Sequence, residues 1–498
     1  MAEVAAPGSP RTANIDRKDW ALAALLGLLT VALRLPFLSR YLFIWDSVNF
    51  ALALEHFDVT QHRPHPPGYF YYVGLGRLLN ALFNDANLSL ALESVLLSAL
   101  AVAALYLLGR AMFSRRSGLM AALLLVFSVT FWTYGEIALS YPALAFFSIL
   151  VAYLTYRVLF HDERGLVVWV AVAYAIGGGF RPDLLLFLAP LWLASLTRAS
   201  RLQAVASVLV ALGGFLAWLL PTVLLSGGLV EYGRAFAAYF SVDVVERYAP
   251  THRGLLGLGV NIRDTASYLF YALYAEAVLL VLALGWVALS KRRWWNPKAL
   301  FLTGWIAPML LFYILLHQGE PGYIFSLLPA FLLVTARFLD RVRWPLLPTR
   351  AATVVNYALL AVVLAANTGI FFLHPRLLTY QGLVRNDQHL GNTIAYVQTT
   401  HTPQEVVLLS YQSYKHWMYY LPAYPHNLWV DLFSRQERHF PIPNGVHTVL
   451  LTDQSLLRIL DPKLGYQPVA LGEDLFLYRL EVRPGQRLRY SGSLITLE

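Results

Sequence analysis

Cysteine is absent from this 498-residue chain, and charged side chains make up only 13% of it. The first absence excludes disulfides and thiolate metal centres, so any part outside the cytoplasm must be held by packing alone. The second lies well below the roughly 25% charge of an ordinary soluble domain. Apolar residues fill the chain instead: 58% are hydrophobic, 14% are aromatic, and the mean hydropathy is +0.54. This composition defines a polytopic α-helical membrane protein. The formal net charge of +9 does not indicate nucleic acid, because most Lys and Arg fall in short loops between apolar runs, where positive charge orients a membrane protein.

A helix needs about 20 apolar residues to cross a bilayer. Runs of suitable character cover 20–38, 88–109, 118–134, 140–160, 166–180, 183–197, 203–225, 266–290, 299–317, 323–340 and 351–373, so about eleven spans are predicted. The pair 166–180 and 183–197 is short, and Gly177-Gly178-Gly179 suggests a break between two half-helices. The polar residues 1–19 read as a disordered cytoplasmic tail. The run Trp20–Leu38 is too long for a signal-peptide core and reads as an uncleaved first span. With the N-terminus inside, alternate loops carry Arg110, Arg115 and Arg116; Arg157 and Arg164; Arg198 and Arg201; Lys291, Arg292, Arg293 and Lys298; and Arg337, Arg341, Arg343 and Arg350. That alternation predicts an inner (plasma) membrane protein with its C-terminus outside. Residues 39–87 form a long first external loop, in which Asp46–Phe57 has the spacing of an interfacial helix. The stretch Pro67–Phe83 reads as a second interfacial or re-entrant helix. From about residue 375 polar residues return, with β-like runs at 405–409, 446–451 and 475–480. The fold class is therefore mainly α: a transmembrane unit over 20–374 and a small extracytoplasmic α/β domain over 375–498.

Several side chains in the external loops suit chemistry. Asp46 follows the first span, where a carboxylate is costly without a task. It reads as a catalytic base, or as the N-cap of the helix that begins there. His62 and His65, with Asp46 or Asp58, suggest a divalent metal, but their spacing fits no familiar zinc signature. His65 alone reads as a hydrogen-bonding or phosphate-facing group, or as a plain interfacial histidine. It opens the run His65-Pro66-Pro67-Gly68-Tyr69, whose prolines fix a turn and whose Tyr69 suits substrate contact or the headgroup region. Glu136, at the outer end of a span, reads as substrate-binding or merely solvated. Arg181-Pro182-Asp183 follows the three glycines. Arg181 suits a lipid phosphate, and the bland alternatives are an ion pair with Asp183 or snorkelling. The last external membrane loop, with His317, Glu320 and Tyr323, either contacts substrate or turns the chain.

The first span, the early-loop Asp46, the His-Pro-Pro-Gly-Tyr run, the basic Leu-Gly-Arg…Ser-Arg-Arg-Ser-Gly turn and Glu136 before Tyr141-Pro142-Ala143-Leu144 together resemble the GT-C glycosyltransferases. The nearest groups in pattern are the protein O-mannosyltransferases, the aminoarabinose transferases and related bacterial enzymes. The similarity is architectural over 20–340 and specific around 46–72, 106–118 and 132–147. The resemblance implies that Asp46 is the catalytic base and that Arg181 meets the lipid phosphate. It also implies a polyprenyl-phosphate sugar donor, an extracytoplasmic acceptor and transfer with inversion. No organic cofactor is implied. Two departures stand out: Ser47 follows Asp46 where many members carry an acidic pair, and His317 and Glu320 occupy a loop where a basic residue is often seen. A transporter or flippase is the alternative class, but such proteins often show interrupted helices in both halves. Here the only clear break lies near Gly177–Gly179.

Overall fold

The computed structural model describes residues 15–289, 296–316, 319–376, 378–432 and 436–498. Many of its helices start at a side chain able to cap them. Asp16 closes a capping box on α1 (Arg17–Arg34), Asp85 caps α4 (Ala86–Met112), and Ser114 caps α5 (Arg115–Val126). Two short helices occupy the first loop, α2 (Trp45–Glu55) and α3 (Phe70–Phe83). After α5 come α6 (Val129–Tyr134), α7 (Tyr141–His161), α8 (Val167–Phe180), α9 (Asp183–Leu196), α10 (Arg201–Leu225) and α11 (Leu229–Tyr239). A π-helical turn, Phe240–Glu246, leads to α12 (Pro250–Leu273) and α13 (Glu276–Leu289). Then follow α14 (Pro297–Leu315), α15 (Leu328–Arg341) and α16 (Thr349–Leu373).

The buried middle of the bundle is α4, packed against α1, α5 and α7. At one end of α4 Asp19 ties the helices together. It accepts from the Tyr106 hydroxyl at 2.7 Å and pairs with Arg115 at 2.7 Å and Arg110 at 3.3 Å. At the other end Asn87 donates to the carbonyl of Ser39 at 2.7 Å.

Among the described residues six helices are long and apolar enough to cross a membrane: α1, α4, α7, α10, α14 and α16. A bent pair, α12 with α13, makes seven if taken as one span. The expected continuous span 266–290 is therefore corrected, because the chain turns by 110° between Leu273 and Glu276. Asn367 of α16 fills that corner, accepting from Ala275 N–H and donating to the carbonyls of Phe127 and Leu273. The expected span 118–134 is likewise two helices, α5 and α6. The break near the three glycines falls later than expected. Gly177–Gly179 remain helical and admit neighbours closely, with Phe147 against Gly177 and Tyr71 against Gly179, while Arg181 and Pro182 leave the helix. The basic residues 291–293 lie outside the described residues.

The α2 helix is not a surface helix. Val48, Phe50, Ala51, Ala53 and Leu54 are all buried, because α2 is packed between α3 and α4 on one side and α18 (Tyr414–Tyr420) of the C-terminal part, residues 375–498, on another. In that part α17 (Tyr380–Thr400) and α18 pack on one face of a five-stranded sheet. The sheet order is β2-β1-β4-β6-β5, from β1 (Val406–Ser410), β2 (Asn427–Trp429), β4 (Thr448–Leu451), β5 (Tyr466–Gly472) and β6 (Leu475–Glu481). The β1 strand lies parallel to β2 and β4, with Val407 opposite Val449, and is buried on both faces, as a parallel strand inside a sheet should be. On the other face lies a three-stranded sheet of β3 (Arg438–Pro441), β7 (Arg487–Tyr490) and β8 (Ile495–Leu497).

Candidate active site

The first loop delivers Asp46 on the opening turn of α2. It is the second helical residue. The N-cap is Ile44, so the capping alternative for Asp46 falls away. Its side chain keeps 30% exposure and stands 3.5 Å from Nδ1 of the buried His65. The other ring nitrogen of His65, Nε2, lies 2.9 Å from the Tyr69 hydroxyl. Burial holds the His65 pKa below its ordinary value against the opposing pull of Asp46, so the ring is neutral at physiological pH. A neutral ring matches Nδ1–H facing the carboxylate and Nε2 accepting from Tyr69. Tyr69 is buried and sits in the left-handed backbone region at φ 51°. For a bulky residue that is a strained conformation, of the sort concentrated at functional sites.

Tyr69 leads to Arg181. The guanidinium carbon lies 5.2 Å from the Tyr69 ring centre, 4.5 Å from that of Tyr141 and 5.2 Å from that of Tyr323. Arg181 is 3% exposed, pairs with Asp183 at 3.1 Å and donates to the Ser140 hydroxyl at 3.1 Å. The alternative ion pair with Asp183 is thus present, and its Asp183 member lines a cavity while Arg181 lies buried behind it. That cavity, of about 330 Å³, is bounded by Pro66, Pro67, Tyr69, Asp183, Trp218 and Tyr323, with Tyr232, Phe236, Tyr239 and Phe240 closing another side. It is apolar over most of its wall and polar at the tyrosine and Asp183 end.

Glu320 stands near the same cluster. Its carboxyl is pushed up to about 8 by burial and by the Asp46 charge, so it carries a proton at neutral pH. Gly322 explains how its loop comes so close: a Cβ there would meet the Tyr141 ring at 2.3 Å. The remaining expectations divide. His317 lies outside the described residues. Glu136 is fully buried rather than solvated, and its electrostatic partner is Arg34 of α1. Among the described residues no three His, Asp or Glu side chains converge as a metal site. Sequence reading missed Ser140, Tyr141 and the wall from α11. The spacing of Tyr232, Phe236, Tyr239 and Phe240 is a helical aromatic stripe and was the available signal.

The chain has the GT-C membrane glycosyltransferase fold of the solved structures it is similar to. Residues 64–225 match the family model described as dolichyl-phosphate-mannose-protein mannosyltransferase. The chain is similar to undecaprenyl phosphate-alpha-4-amino-4-deoxy-L-arabinose arabinosyl transferase 2 of Pseudomonas fluorescens, 26% identical over 356 residues. That match covers 66% of this chain and spans 61% of the relative's length. Among solved structures it is similar to ArnT from Cupriavidus metallidurans bound to undecaprenyl phosphate, with TM-score 0.56 and 14% identity over 93% of this chain and 97% of that one. Apo ArnT from the same organism gives TM-score 0.52 and 13% identity, over 93% of this chain and 98% of that one. At these identities the solved structures establish the fold.

Proposed function

We propose that the chain is an integral-membrane glycosyltransferase that moves a sugar from a polyprenyl-phosphate donor to an extracytoplasmic acceptor, with inversion at the anomeric carbon. The observation that carries this reading is Arg181, a buried guanidinium ringed by Tyr69, Tyr141 and Tyr323 and paired with Asp183, directly behind a mostly apolar cavity that Tyr69, Asp183 and Tyr323 line. A lipid phosphate needs that combination: hydrocarbon walls for the chain and a charged fork for the head. The acceptor hydroxyl or amine attacks the anomeric carbon, the bond from that carbon to the phosphate oxygen breaks, and polyprenyl phosphate leaves. Asp46 takes or orients the acceptor proton. Neutral His65 lies 3.5 Å from Asp46 and accepts from Tyr69, and Tyr323 lines the cavity where the leaving phosphate would sit. Asp183 offsets the charge of Arg181 when the cavity is empty, so phosphate binding exchanges one anionic partner of the guanidinium for another. Undecaprenyl phosphate, named with the similar ArnT structure, has the chemistry this cavity fits.

The same reading takes the chain as a multi-pass protein of the inner membrane, with its N-terminus in the cytoplasm and with Asp46 and residues 375–498 outside. About eleven crossings then require α5 with α6, α8, α9 and α15 to traverse the bilayer alongside the six long helices and the bent α12–α13 pair. A reporter fused after Glu498 tests this orientation, because activity confined to the cytoplasm refutes it. The function itself is tested by mass spectrometry of glycans and glycolipids from cells with and without the chain. A sugar that disappears with the gene, and returns with wild type but not with Asp46→Asn, is the expected result. Unchanged glycans and glycolipids in the deleted cells would refute the assignment.

A further inference from the structure

A second cavity, of about 340 Å³, lies at the opposite end of the bundle from Asp46. The α4 helix has 27 residues, about 40 Å at 1.5 Å per residue. Its start touches Ser39 of the first loop, and Ser114, just beyond its end, lines this cavity. Four arginines, Arg115, Arg116, Arg341 and Arg343, line it together with one carboxylate, Asp340.

These charges are not equivalent. Arg115 is committed to Asp16 and Asp19. Asp340 accepts from the hydroxyls of Ser114 and Ser117 at 2.9 Å and stands 3.6 Å from both Arg337 and Arg341, so its charge is already answered. Arg116 and Arg343 have no ion pair among the described residues. They come from different elements, the first turn of α5 and the segment after α15. That segment is pinned in place: Asn356 of α16 accepts from Trp344 Nε1 at 2.9 Å and donates to the carbonyl of Val342 at 3.4 Å.

The flank of the cavity is apolar and open. Tyr357 of α16 lines the cavity and is exposed, Val354 follows the lining residue Thr353, and Leu346, three residues beyond Arg343, is 95% exposed. Two uncommitted cations over a cavity call for a phosphate ester. The exposed hydrocarbon next to them calls for a ligand with an acyl chain. We propose that this cavity binds the phosphate headgroup of an anionic membrane lipid, with Arg116 and Arg343 as its cationic contacts and the acyl chains lying along α16. Basic pockets between membrane helices recognise such headgroups, and the site is separate from the Arg181 cavity.

The test uses the purified full chain in detergent and follows its thermal midpoint on titration with dioleoyl phosphatidylglycerol, dioleoyl phosphatidylcholine or inorganic phosphate. Phosphatidylglycerol should raise the midpoint and phosphatidylcholine should not. The Arg116→Ala/Arg343→Ala variant should need about tenfold more phosphatidylglycerol for half the effect, and Arg116→Lys/Arg343→Lys should recover most of it. If the alanine pair does not fold, Arg116→Gln alone is read the same way. An equal response of variant and wild type to phosphatidylglycerol would overturn the site. Inorganic phosphate giving the whole shift at equal concentration would overturn the lipid in favour of a soluble phosphate.

Discussion

Removing Arg181 separates the proposed lipid-phosphate contact from a merely structural ion pair. In Arg181→Ala the charged fork behind Asp183 is lost, while Asp183, with 18% of its side chain exposed, stays on the cavity wall. A charge-assisted hydrogen bond is worth roughly 1.5–3 kcal/mol, so affinity for a lipid phosphate should fall roughly 10- to 150-fold. The uncompensated carboxylate now faces the phosphate and pushes the loss toward the upper end. Losing the tyrosine cage around the cation, at about 0.5–2 kcal/mol, lowers stability as well. A second variant, Arg181→Ala/Asp183→Asn, removes the stranded charge and should regain much of the thermal stability. It should not regain affinity, because no guanidinium remains to meet the phosphate. The assay is binding of undecaprenyl phosphate to purified protein, which needs no knowledge of the sugar, read beside the thermal midpoint. A folded Arg181→Ala within twofold of wild-type affinity would refute the phosphate role. Full recovery of affinity in the double variant would show that Arg181 serves only to neutralise Asp183.

Asp46→Asn should lower sugar transfer by about 10²-fold or more while leaving undecaprenyl phosphate binding within a few-fold, and near wild-type turnover would end the case for a base. Glu320 has its folded pKa raised from 4.5 to about 8. The folded state therefore binds more protons than the unfolded one between those values, and stability should fall as pH rises from about 4.5 toward 8. Glu320→Gln should flatten that decline in a thermal-midpoint series, and an unchanged slope would mean that Glu320 is not the group titrating. Gly322→Ala should displace the Tyr141 ring or the loop and weaken lipid-phosphate binding, with Gly74→Ala, whose Cβ meets nothing within 4 Å, as the silent control. Equal affinities for these two alanine variants would argue against a tight Gly322–Tyr141 approach.

The long apolar helices were legible because hydropathy reports directly on length and burial. The breaks were not. A corner such as Tyr274–Ala275 is fixed from a distance by Asn367, and nothing in the local sequence announces it. The α2 helix carried an apolar pattern that fits an interfacial helix as well as a buried one, and only the covering residues decide between them. In the site, Asp46, His65, Tyr69 and Arg181 could be read from residue type and position after a span. Glu136 has the same residue type and a similar location, yet it turns inward to Arg34. Which way a carboxylate faces depends on rotamer and packing, and residue type does not encode either. Ser140 and Tyr141 were hidden for the same reason, as ordinary residues made relevant by the approach of Arg181.

The sheet-bearing C-terminal part has a direct bearing on Asp46, although none of its residues belongs to the line from Asp46 to Arg181. Its Asp387 accepts from Ser39 Oγ and Arg40 N–H, both at 2.8 Å. On α18, Tyr420 OH accepts from Leu42 N–H and His416 Nε2 donates to the carbonyl of Leu42, both at 2.9 Å. The rings of Tyr414 and Trp429 then pack on Trp45 at 5.9 and 5.6 Å. The segment leading into α2 is therefore held at successive points up to the residue before Asp46. Trp417, behind this contact, is buried and donates to Thr452 Oγ1. Fixing Leu42 on both its N–H and its carbonyl, with Trp45 packed on Tyr414 and Trp429, restrains the approach of Asp46 to His65. Since a short helix of 11 residues has little stability of its own, the geometry of the Asp46–His65 pair depends on this cover as much as on the membrane bundle beneath it.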